Sequence, residues 1–104
     1  MNIWEVKEGV QYQLVTEEKA YQITTTPVGS TPTSISVKAY DESVDLDVTT
    51  TVYPTNSPGA VGNVITLSLL KALTAGHTYR IETTFTTSTG NIWTRIFRVT
   101  CPQL

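Results

Sequence analysis

The sequence predicts an all-β domain, a sandwich of two antiparallel sheets built from about seven strands. Three observations carry that expectation. Apolar residues recur at every second position in several runs, the period of a strand with one face buried. Gly, Pro, Asn, Asp and Ser punctuate the chain at short intervals, and no stretch keeps a convincing helical spacing. Threonine clusters at Thr24-Thr25-Thr26, Thr49-Thr50-Thr51 and Thr83-Thr84 fill the place of charged residues, which are only 15% of the chain against about 25% in ordinary soluble domains. A β-branched side chain with a short hydroxyl suits the outward face of a strand better than a helix. At 104 residues there is room for one such core and not for two.

Taken in order, residues 1–19 are the least regular and read as an N-terminal arm or edge strand, with Val10, Tyr12 and Leu14 on one side of a short strand. Residues 20–104 make the sandwich. Tyr21 to Thr26 alternates weakly and stops at Pro27, which has no N–H for a central ladder. Residues 28–32 are a turn, and Thr33 to Tyr40 then sets Ile35, Val37 and Ala39 on one face. After Asp41-Glu42-Ser43, the alternation of Val44, Leu46, Val48 and Thr50 predicts a further strand, and Tyr53 to Gly62 a long connection. Val64 to Leu70 follows, with Ile65, Leu67 and Leu69 as the inward set. The last third holds two long strands, Thr78 to Thr87 and Ile92 to Thr100, joined by Ser88-Thr89-Gly90-Asn91 as a hairpin. Tyr79, Ile81 and Phe85 line one face of the first, and Trp93, Phe97 and Val99 one face of the second. Ile92 and Ile96 fall on the opposite face, where they leave apolar surface.

Several function classes are disfavoured. A net charge of −2 with seven scattered Lys and Arg makes no basic patch for nucleic acid. No polybasic or amphipathic segment suits a membrane surface, and no apolar run is long enough to span one. Met1 to Glu5 shows no basic stretch leading into an apolar one, and Cys101 is the only cysteine. The expectation is synthesis in a reducing cytoplasm, compatible with later residence in a virion.

His77 is the only histidine and reads as a solvated loop residue; a Cys–His nucleophile would need Cys101 beside it. Asp41, Glu42, Asp45 and Asp47 form the only acidic cluster and read as a solvated face. No catalytic residue, metal ligand or cofactor site is expected. An aromatic-bearing arm ahead of a compact sandwich suggests docking on a neighbouring subunit through Trp4 and Tyr12, unless the arm folds back over its own sheet. With few charges to protect the outer strands, self-association into a homo-oligomer or edge pairing with a partner is also expected.

One local motif sharpens the fold. In Leu73-Thr74-Ala75-Gly76-His77-Thr78-Tyr79, Gly follows Leu by three positions and Tyr follows Gly by three more. That spacing resembles a tyrosine corner, in which Leu73 plugs the end of the sandwich, Gly76 takes a positive φ and Tyr79 returns its hydroxyl to the backbone. Residues 73–99 therefore resemble immunoglobulin-like and fibronectin type III modules, which implies an immunoglobulin-like sandwich and says little of function. The opening Trp4, Lys7, Glu8 and Tyr12, with Leu-Thr-Ala-Gly-His-Thr-Tyr-Arg and Phe-Thr-Thr-Ser-Thr-Gly-Asn later, looks like small accessory proteins of tailed phages. That resemblance implies a structural or adaptor protein attached to head or tail subunits of a phage or prophage particle. The alternative is a ligand- or carbohydrate-binding β-module, which an aromatic platform opposite Ile92 and Ile96 would favour.

Overall fold

The two longest strands of the final hairpin dictate the architecture. In β8 (Thr78–Thr86) every second residue from Tyr79 to Phe85 is buried, and β9 (Ile92–Thr100) buries Arg95, Phe97 and Val99 in the same rhythm. They pair antiparallel from Thr78↔Thr100 to Thr86↔Ile92. The link works as expected: Gly90 takes φ +87°, its N–H donates to Thr87 O, and Thr87 N–H donates to Asn91 O. The computed structural model describes the backbone of residues 2–5, 10–25 and 31–103, and the side chains of 10–25 and 31–103. Pro27 and most of the expected 28–32 turn lie outside them.

Around that hairpin, β4 (Thr33–Asp41) pairs antiparallel with β8, and a two-residue β5 (Leu46–Asp47) pairs with β4. On the other side, β1 (Asn2–Glu5) and β2 (Gln11–Tyr12) both lie beside β9, and both run parallel to it. The larger sheet thus has the order β1-β9-β8-β4-β5, with β2 continuing along the β9 edge. The second sheet holds β3 (Lys19–Thr24), β7 (Val64–Leu70) and β6 (Gly59–Val61), in the order β3-β7-β6. With β3, β7 and β6 standing as strands B, E and D and β4, β8 and β9 as C, F and G, this is an immunoglobulin-like sandwich. It differs from the expected all-antiparallel form only at the β1/β2 edge.

The sheets meet over Ile23, Val37, Ala39, Ile65, Leu67, Leu70, Ile81, Phe85, Phe97 and Val99, all buried. Tyr21 of β3 packs on Phe97 of β9 with ring centroids 5.2 Å apart. Across the sandwich, Asn56 Nδ2 donates to Val37 O at 3.0 Å and ties the connection before β6 to β4.

Three expectations need correction. The alternation of Val44, Leu46, Val48 and Thr50 does not make a long strand. Val44 and Leu46 are more than half exposed, only Leu46–Asp47 pairs, and Thr49–Val52 forms one helical turn, α1. That turn reverses the chain so that Val52 and Tyr53 enter the core, and the expected long connection 53–62 begins buried and contains β6. Leu69 is 44% exposed, and Leu70 takes its place inside. The cause is a register irregularity: Ala20↔Leu69 is followed by Gln22↔Thr66, so β7 carries one extra residue and its alternation slips. In the arm, Val10 and Tyr12 are exposed and the buried residue is Gln13.

Ala72 adopts φ +60° in the stretch after β7, where its side chain is exposed. A Cβ in that region is strained, whereas glycine is not. Ala72→Gly is expected to stabilise by about 0.5–1 kcal/mol, the strain relief exceeding the added chain entropy. A thermal melt with unchanged or lower Tm would show that the turn is not strained there.

Candidate functional site

The chain between β7 and β8 closes one end of the sandwich. Leu73 is buried, Gly76 takes φ +83°, and the Tyr79 hydroxyl accepts the Thr74 N–H at 2.7 Å. Gly76 N–H donates to Cys101 O at 2.7 Å and Cys101 N–H donates to His77 O at 2.9 Å, which extends the β8–β9 ladder into the loop. His77 is a loop residue, as expected, but only partly solvated. Its Nδ1 lies 2.6 Å from Oδ2 of Asp41, which is almost fully buried at the end of β4. A carboxylate offers only acceptors, so Nδ1 carries the hydrogen. The second oxygen, Oδ1, accepts the Ser43 N–H at 3.0 Å.

The acidic cluster is therefore divided by the fold. Asp41 turns inward to His77, Glu42 joins two arginines, and Asp47 accepts both N–H and O–H of Thr49. Those bonds, the hydroxyl's first, hold the Asp47 carboxyl below its ordinary range. Among the described residues, no group of three His, Cys, Asp or Glu side chains is placed to hold a metal ion. The Cys101 thiol is fully buried, and burial pushes its pKa up, away from the reactive thiolate.

Between the sheets lies a polar cluster that periodicity did not reveal. Gln13, fully buried, donates from Nε2 to Leu70 O at 2.6 Å and to Glu17 O at 3.0 Å, and its Oε1 accepts the Tyr21 hydroxyl at 3.0 Å. Burial, helped by the nearby Glu17 charge, raises the Tyr21 phenol to about 12. Burial also pushes the Tyr53 phenol upward, and its hydroxyl has no hydrogen-bond partner among the described residues. Thr83 and Arg95, opposite each other in the β8–β9 register, put a second polar row inside.

Two tyrosine substitutions are expected to differ in sign. Tyr79→Phe removes a made hydrogen bond and should cost about 1 kcal/mol. Tyr53→Phe removes a buried hydroxyl that pairs with none of the described residues, and should be neutral or stabilising by up to about 1 kcal/mol. Equal losses of Tm in both variants would contradict the pairing described for these hydroxyls.

On the outer face of the large sheet, side chains cross-link in rows. Arg80 Nε donates to Glu82 at 2.8 Å, and Arg80 Nη1 and Arg98 Nε donate to the two oxygens of Glu42 at 3.2 and 3.0 Å. The Arg80 guanidinium also covers the Tyr40 ring, 4.7 Å from its centroid. Burial alone would lower the Arg80 pKa; the two glutamates outweigh it and raise the pKa. Thr78 bonds Thr100 and Thr84 bonds Thr94, hydroxyl to hydroxyl.

Of the residues singled out for docking, Tyr12, Ile92 and Ile96 are spread over this face. Tyr12, 63% exposed, stands beside Thr100 at one end of β9, and Ile92, half-exposed, begins the other. Eight residues of strand separate their rows, roughly 27 Å at the usual rise. Ile96 is half-buried between them, in register with Glu82. Trp4 pairs with Arg95 in the backbone register; its side chain lies outside the described residues, as do those of Lys7 and Glu8. Among the described residues no helix is long and apolar enough to cross a membrane. The sequence matches no family model and no curated protein.

Proposed function

We infer that this chain is a non-enzymatic structural or adaptor protein that attaches to other protein subunits, as an accessory component of a phage or prophage particle. The observation that carries the attachment is Tyr12. An aromatic side chain 63% exposed on the edge of the larger sheet offers a partner apolar area and a hydroxyl at small entropic cost. On the same sheet, the Arg98–Glu42–Arg80–Glu82 network is already ordered, so a partner does not have to immobilise those long side chains. The particle setting rests on the resemblance of Trp4, Lys7, Glu8 and Tyr12 and of residues 73–80 and 85–91 to small phage accessory proteins. The hydrogen bond from Thr74 to Tyr79 fits that reading as a tyrosine corner, a brace for the end of the domain rather than a contact.

The test is co-sedimentation. Particles from a strain carrying the gene are banded on a density gradient and probed for this chain, alongside a Tyr12→Ala variant that melts like the parent. The parent is expected in the particle band and the variant among free protein. A parent found only among free protein would refute the particle role. Equal banding of the two would remove Tyr12 from the contact.

A further inference from the structure

β3 is the longest edge strand among the described residues, with β7 as its one neighbour. Thr25 N–H donates to Asn63 O at 2.7 Å, which sets the phase of the ladder. Antiparallel strands alternate between residues whose backbone groups face the neighbour and residues whose groups face away. The backbone groups of Ile23 and Thr25 therefore point to β7, and those of Ala20, Gln22 and Thr24 point to the open side. The irregularity in the pairing does not upset this order. From Ala20↔Leu69 to Gln22↔Thr66 the extra residue belongs to β7, so β3 alternates without a break.

The side chains of Ala20, Gln22 and Thr24 are all exposed and uncharged, while Lys19 at the start of the strand is held by Glu17 and by the Tyr12 carbonyl. An unbroken, neutral edge of this kind is ready to pair with another strand. One of its open-side groups is nonetheless engaged. Arg95, only 7% exposed, reaches from the inner face of β9 and donates Nη1–H to Thr24 O at 2.8 Å.

We propose that the β3 edge is a self-association surface for a second copy of this chain, and that Arg95 is the latch that keeps it closed. A two-fold axis at Gln22 sets that residue against its own copy in the second chain, and sets Thr24 against the second chain's Ala20. No like charges meet, and each open-side backbone group finds a mate. The edge is its own complement, as an isologous contact requires. Pairing brings a ladder N–H to the Thr24 O that the guanidinium already occupies, so a buried charge must share its acceptor or give it up. That cost weakens the pairing of the unsubstituted protein without abolishing it. Tyr12 lies on the other sheet, so its docking role and the pairing of β3 stand independently.

Cysteine crosslinking tests the β3 edge. In the proposed pair the two residues 22 stand about 5.5 Å apart between Cα atoms, within the range a disulfide spans. Gln22→Cys is compared with Ala60→Cys, an exposed position on the opposite edge of the same sheet, each with and without Arg95→Met. Methionine fills similar space without charge, a replacement that buried ionic groups often tolerate. Cys101 is buried and does not compete. Under mild oxidant, Gln22→Cys with Arg95→Met is expected to form a disulfide dimer several times faster than Gln22→Cys alone, and Gln22→Cys faster than Ala60→Cys. Arg95→Met alone should elute as a dimer by light scattering. Equal crosslinking of Gln22→Cys with and without Arg95→Met overturns the latch. Should the Arg95→Met proteins fail to fold, Gln22→Cys crosslinking no faster than Ala60→Cys overturns the surface itself.

Discussion

Gln13→Ala is expected to destabilise the protein by about 3 kcal/mol, the largest loss expected from any described side chain of the arm. The amide lies fully buried between the sheets and serves three groups at once, the carbonyls of Leu70 and Glu17 and the hydroxyl of Tyr21. Alanine leaves the Leu70 carbonyl and the Tyr21 hydroxyl buried without that partner, at about 1–3 kcal/mol for each orphaned group, and opens a cavity besides. Tm should fall by roughly 15 °C for a domain of this size. Adding Tyr21→Phe should return part of the loss, because the orphaned hydroxyl is then gone. If Gln13→Ala melts within a degree or two of the parent, the arm is not stitched into the core through this residue.

The second large effect belongs to Asp41. Its carboxylate accepts Ser43 N–H and holds His77 Nδ1 at 2.6 Å, joining the β4–β5 turn to the loop before β8. Asp41→Ala is expected to cost about 2 kcal/mol, since it releases both elements at the same end of the sandwich. His77→Ala should cost less, because the imidazole is partly solvated while Asp41 is not. A double-mutant cycle isolates the pair, with an expected coupling of about 1 kcal/mol. Additive losses would mean that the contact contributes nothing beyond packing.

Gln13 and Asp41 also mark where local sequence patterns stop being informative. A buried glutamine in an irregular, polar stretch has no periodic signature, because its value lies in partners 57 and 8 positions away, at Leu70 and Tyr21. His77 and Asp41 are 36 positions apart, and nothing local marks them as partners. By contrast, the inward rows of β4, β8 and β9 were legible, since one buried face per strand imposes alternation directly on the sequence. The rule failed where another force intervened. At Leu69 the extra residue on β7 shifted the phase, and at Val44 and Leu46 the alternation falls in the turn after β4 and in a two-residue edge strand, where both side chains stay exposed.

The interaction residues divide in the same way. Ile92 was identifiable as an apolar residue on an outward face and Tyr12 as an aromatic of the arm, yet their positions at opposite ends of β9 follow from how β2 is laid along that strand. By itself the sequence determined the class of fold, the final hairpin and the Leu73–Gly76–Tyr79 spacing, because alternation, turn chemistry and glycine's backbone freedom act over a few residues. Only the tertiary structure decided that the arm runs parallel to β9, that Gln13 and Arg95 belong inside, and that Asp41 meets His77. Each of those depends on contacts between distant segments, whose free energy appears only when the sheets are brought together.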